Sequence, residues 1–127
     1  MKIRECFLQA VAIVGAEEDA RETWADMNRI NAPWAAVFDG KRLIGIVNKM
    51  DLNAFIRVPE VFKNVGEVAK TGMPARRGIS LSPSADLNEA VLRLELARAD
   101  AAFVEGIGRP PGVMEMDTAN RALSLSS

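Results

Sequence analysis

Apolar residues run along this chain in two alternating rhythms, and each change of rhythm marks an element. "AVAIVG" (10–15) is a short continuous apolar run, the pattern of a buried strand. Acidic residues interrupt it, and from Ala20 apolar positions return at helical spacing, at Trp24, Met27 and Ile30. "WAAVFD" (34–39) and "RLIGIVN" (42–48) read as two strands joined by a turn at Gly40. "KMDLNAFI" (49–56) closes the series as a short helix.

The same order then recurs. "RGISLS" (77–82) is a strand, Leu87, Ala90, Val91 and Leu94 form a helical stripe, and "AAFVE" (101–105) is a second strand. Gly106 and Gly108 make a turn before "PGVMEM" (111–116), and "DTANRALSL" (117–125) ends the chain as a helix. Pro110 and Pro111 cannot donate to a ladder, so the last strand is expected to start after them.

Superposing the halves gives a gap-free register of 67 residues, the separation of Asp19 from Asp86. Glu22 falls on Glu89, Met27 on Leu94, Val37 on Val104, Gly45 on Gly112 and Ile56 on Leu123. Both helices open with an aspartate and carry a glutamate three residues later, which resembles a capping box. The expected organisation is a first motif over 1–60, a connector over 61–76 and a second motif over 77–127. Within the linking stretch "RVPEVFKNVGEVAKTGMPARR" (57–77), "VGEV" echoes "IREC" at 3–6. One unit cannot cover its own sheet and two packed together can, so neither half is expected to fold alone. Leu92 and Leu96 widen the second helix's apolar surface beyond one stripe, which suggests packing on two sides and a homodimer through the helices starting near Asp19 and Asp86.

Composition narrows the chemistry. There is no histidine and one cysteine, Cys6, so a Ser/His or Cys/His nucleophile pair, the usual zinc sites and an internal disulfide are all excluded within one chain. Carboxylate or lysine catalysis has no positive support, and the chain reads as a non-enzyme. A single cysteine, no long apolar leader and no run of about 18 apolar residues lead us to expect a cytoplasmic protein that does not enter a membrane. Net charge is −1, and the basic residues Lys41, Arg42, Arg76, Arg77 and Arg109 are scattered through turns and connector, so nucleic acid is not an expected partner. Trp24 reads as helix-to-sheet core.

The duplicated β-α-β-β-α order, "AAVFDGKRLIGIVNKMDL", "ISLSPSADLNEAVLRL" and "AAFVEGIGRPPGVMEMDTANRAL" together resemble a tandem pair of CBS domains, a Bateman module. The resemblance spans about residues 3 to 125. It implies a mixed α/β (α+β) fold of two CBS motifs related by a pseudo-two-fold axis, with three-stranded sheets packed by helices. It also implies a regulatory module with a cleft between the motifs for adenosine-containing ligands (AMP, ADP, ATP or S-adenosylmethionine), dimerisation, and an unidentified regulated protein. The alternative is a ligand-free structural or dimerisation module.

"GIVNKMD" (45–51) matches the family's strand-end motif except that Asn48 replaces its hydroxyl residue. The residues leave two roles for Asp51. With Asn48 as N-cap, Asp51 is the third helical residue, where a carboxylate suits the helix dipole. The same carboxylate can accept both hydroxyls of a ribose, with the first-turn N–H groups, Asn48 and Lys49 near the phosphates. The family places the base against the partner motif, which here means Gly78 and Ile79, then Ala99 and Asp100, with Ile46 as another wall. Ile46 and Ile79 read equally as ordinary sheet core, and Asp100 either accepts from an exocyclic amine or faces water.

The second motif departs from this pattern. Glu115 falls on Asn48 and Thr118 on Asp51, replacing a neutral cap by an anion and a two-oxygen acceptor by one hydroxyl. Asp117 is adjacent, but one residue turns a helical side chain by about 100°. Pro33 and Trp34 would form that site's other wall, Trp34 filling the space itself rather than stacking on a base. The second site is expected to be vestigial.

Overall fold

A computed structural model of the chain describes residues 1–57, 64–71 and 79–126. After a 3-10 turn, Ile3–Glu5, the first unit comprises β1 (Val11–Gly15), α1 (Ala20–Ile30), β2 (Trp34–Asp39), β3 (Arg42–Asn48) and α2 (Lys49–Ile56). Helix α3 (Val65–Thr71) lies within the expected connector. The second unit repeats the order with β4 (Ser80–Leu81), α4 (Leu87–Ala97), β5 (Ala101–Val104), β6 (Gly112–Glu115) and α5 (Met116–Ser126). Each unit has one three-stranded sheet, β1-β2-β3 or β4-β5-β6, whose first pair is parallel and second antiparallel. β6 starts at Gly112, after the two prolines, as their missing donors require. Of the strand expected over 77–82, Ser80–Leu81 is formed, and residues 77 and 78 lie outside the described residues.

The 67-residue register holds at the level of single hydrogen bonds. Asp19 caps α1 by accepting from the N–H groups of Arg21 and Glu22, and Asp86 caps α4 by accepting from Asn88. Both helices end on a left-handed residue, Asn31 (φ 56°) and Arg98 (φ 54°). The amides of Ala32 and Ala99 then donate back to Met27 and Leu94, which satisfies carbonyls the helix leaves open. At the start of the last helix of each unit, Lys49 N–H donates to Pro33 O at 2.9 Å and Met116 N–H to Asp100 O at 2.7 Å.

Alternation along the middle strands builds three apolar layers. Ala35 and Val37 join Met27, Leu52 and Val65 in the first unit's core, while Ala102 and Val104 join Leu87 and Leu94 in the second's. The opposite faces meet each other. Trp34, Ala36 and Ile46 pack with Ala101, Phe103 and Val113, three pairs related by the 67-residue offset. The middle strands β2 and β5 are therefore buried on both sides and read as continuous apolar runs, whereas β1, expected as a buried strand, is an edge strand that leaves Ile13 55% exposed. Each large aliphatic side chain buried in these layers contributes about 1.5–3 kcal/mol. Trp24 packs against the first core as expected, with its indole N–H buried and unpartnered.

The segments that precede the two units are exchanged between them. Val65 and Gly66 donate to Glu18 O and Ala16 O of the first unit, and Ile3 and Arg4 donate to Ala85 O and Pro83 O of the second. Ile3 and Val65 are both fully buried, each in the core of the unit it docks on. The echo of "IREC" in "VGEV" is thus a repeated docking device. The chain enters by clamping the second unit and clamps the first only after having built it. Gln9 continues the crossing by pairing with Val113 on the open edge of β6.

Candidate functional site

The β3–α2 junction sets four of the candidate residues in one short arc. Ile46 is fully buried in the layer between the units, against Ala101, Phe103 and Val113. Two residues on, Asn48 leaves the sheet in extended conformation and caps α2, its Oδ1 accepting from Met50 N–H at 2.8 Å. Lys49 is half-buried and Asp51 is exposed in the first turn. Two of the first-turn donors are already engaged, Lys49 N–H by Pro33 O and Met50 N–H by Asn48. An anion here would therefore depend more on the Lys49 ammonium than on backbone donors.

The other expected wall belongs to the second unit. Ile79 packs against that unit's core, and its carbonyl accepts from Phe103 N–H at 2.9 Å. Ala99 is buried in the same core as part of the α4 terminus. Asp100 is exposed, and its carbonyl holds the start of α5. The contacts described for Ile79 and Ala99 are internal to the second unit. Gly78, like Arg76 and Arg77, lies outside the described residues.

In the second unit the departures stand where the register placed them. Glu115 is the last residue of β6 and Thr118 the third residue of α5, both half-buried. Trp34 is 4% exposed and sits opposite Asn48 in the β2–β3 register, within the inter-unit layer, so the indole fills space in the core. No helix among the described residues is long and apolar enough to cross a membrane.

Sequence reasoning passed over a concavity away from this junction. Arg4, Phe7 and Leu8 of the entering segment and Arg109, Pro110 and Pro111 of the β5–β6 turn line a cavity of about 770 Å³. Arg109 Nη1 donates to Arg4 O at 2.7 Å, joining the two segments that line it. The only signal in the sequence was the IREC/VGEV echo, which hinted that the entering segment is structured.

No protein-family profile and no curated protein sequence matches the chain. Solved structures do. The CBS domain of a bacterial CNNM/CorC family Mg2+ transporter in complex with ATP is 12% identical, with a TM-score of 0.68 over 98% of this chain and 87% of that one. A CBS domain pair in complex with 5′-methylthioadenosine and S-adenosyl-L-methionine is 12% identical, with a TM-score of 0.67 over 100% of this chain and 98% of that one. CBSX2 in complex with AMP is 15% identical, with a TM-score of 0.61 over 99% and 98%. Together with the duplicated sheets and the inter-unit layer, these likenesses identify the architecture: the chain has the fold of a tandem CBS-domain pair.

Proposed function

We propose that the chain is a non-catalytic ligand-sensing module that binds one adenosine-containing ligand at the β3–α2 junction of its first unit. The observation that carries this reading is the placement of Asp51 in the first turn of α2, two residues from Lys49 and directly after the strand that carries Ile46 into the inter-unit layer. A carboxylate there suits a ribose diol, and Lys49 supplies the charge that a phosphate or sulfonium-linked carboxylate needs. Ile79, Ala99 and Asp100 of the second unit are on the base-facing side in this reading. The fold neighbours solved in complex with AMP, with ATP and with S-adenosylmethionine support the ligand class. Thr118 and Glu115 argue against a second such site.

Signal output in this proposal runs through a homodimer. Leu92 and Leu96 on α4 are 54% and 77% exposed, more apolar surface than the fold itself covers. A ligand that alters how the units meet would alter the geometry of that dimer for a regulated protein.

One observation favours the runner-up, a ligand-free structural module: Asn48 and two first-turn N–H groups are satisfied without any ligand. A thermal-shift screen against AMP, ADP, ATP and S-adenosylmethionine separates the two. A ligand that binds only the native state raises the melting temperature by mass action. A concentration-dependent rise with at least one of them supports sensing, and a flat response to all four supports the structural reading.

A further inference from the structure

We infer that the groove between the entering segment and the β5–β6 turn is a second binding site, for a small oxyanion carried on an apolar planar body. The groove is at the Gly112 end of β6, whereas the β6–α5 junction is at its Glu115 end, so the two places are separate. Its volume of about 770 Å³ suits a small molecule. Two arginines line it, Arg4 and Arg109, both exposed, and among the described residues neither forms an ion pair. The bond from Arg109 Nη1 to Arg4 O fixes one fork at the wall before any ligand arrives. Among the described residues no carboxylate lines the groove. The neighbouring Glu5 is turned back to accept from Lys2 N–H at 2.6 Å. Cys6 lines it as a neutral thiol, because burial, helped by the Glu5 charge, pushes its pKa up.

The apolar part of the site is equally specific. Phe7, 69% exposed, lines the groove together with Pro110 and Pro111, whose rings are rigid. Charge-assisted bonds from the arginines would orient an oxyanion, and the ring and prolines would cover a planar body. A ligand seated there would also fasten the entering segment to the second unit, since its two walls come from those two pieces.

The test is amide NMR on the full chain, titrated with phenyl phosphate, benzoate, inorganic phosphate and benzylamine. Saturable shifts are expected at Phe7, Gln9, Ala10 and Gly112 with phenyl phosphate or benzoate, with none at Asn48 to Asp51. Whichever of these two binds tighter identifies phosphate or carboxylate as the preferred head group. Inorganic phosphate should bind more weakly, and benzylamine should not bind. Arg4→Gln is the deciding variant, because Arg109→Gln also removes the bond that holds the turn. It should weaken phenyl phosphate by about tenfold or more, the scale of a lost charge-assisted hydrogen bond. Phe7→Ala should weaken the aromatic probes and leave inorganic phosphate unchanged. Absence of saturable shifts in the groove at about 10 mM probe, or equal affinity in Arg4→Gln, would overturn the proposal.

Discussion

Phe38 of the first unit and Phe103 of the second meet edge to face, 5.5 Å between ring centroids and 80° between planes. Phe103 is 6% exposed in the inter-unit layer, and Phe38 packs on its margin. Phe103→Ala is expected to cost about 3–5 kcal/mol, the range for a buried phenylalanine. Phe38→Ala should cost clearly less, because that side chain keeps part of its surface in water. Urea denaturation of both variants checks the order. A larger loss in Phe38→Ala would contradict the described layer.

The exchanged segments tie each unit's stability to the other. Ile3 is fully buried in the second core, so Ile3→Ala should lower stability by about 2–5 kcal/mol through a single cooperative transition. Residues 1–60 expressed alone should fail to fold, because they lack the sheet that covers Trp34 and Ile46 and the helix containing Val65. A stable, cooperative fragment by circular dichroism would refute this.

Gly112 offers a sharper probe of the same crossing. A Cβ there would lie 2.8 Å from Leu8 Cβ and 3.0 Å from Gln9 O, so the entering segment must move aside. Gly112→Ala should destabilise by about 1–3 kcal/mol, the scale of overpacking. Hydrogen exchange should show faster loss of protection at the Gln9 and Val113 amides, which bond each other's carbonyls, than in the wild type.

Glu18 gives stability a pH dependence. Burial pushes its carboxyl pKa up, with added repulsion from Asp26 and Glu22, although Thr23 donates to it at 2.6 Å. A raised folded-state pKa means the folded protein holds this proton more tightly than the unfolded chain. Its stabilising contribution is present below the ordinary glutamate range and is lost as pH rises through it towards the folded value. Glu18→Gln keeps an acceptor for Thr23 and removes the charge, so it should raise the melting temperature near pH 7 and have a smaller effect near pH 4. An equal change at both values would exclude this cause.

Much of the architecture was legible because its periodicities are strict. The strands over 34–39 and 42–48 and the two aspartate caps stand where apolar runs and helix-start chemistry put them. The role of Asn48 as a cap was also readable, since an N-cap needs only local backbone donors. The destination of the segment at Ile3 was not, because an echo between two stretches shows likeness and does not reveal which unit each docks on. The groove was hidden for a related reason. Arg4 and Arg109 are 105 residues apart, and Arg109 alone reads as a turn cation. Whether Asp51 serves the helix or a ligand is a matter of what arrives from solvent, which no local pattern encodes.

Isothermal titration calorimetry with whichever adenosine ligand raises the melting temperature, on the wild type, Asp51→Ala and Thr118→Ala, tests the central proposal most directly. The expected result is one site per chain. Asp51→Ala should weaken binding by about 1.5–3 kcal/mol, measured apart from a folding cost of about 0.3–1 kcal/mol for losing a helix-start carboxylate. Thr118→Ala should leave affinity nearly unchanged. Two sites per chain, or unaltered affinity in Asp51→Ala, would contradict the assignment.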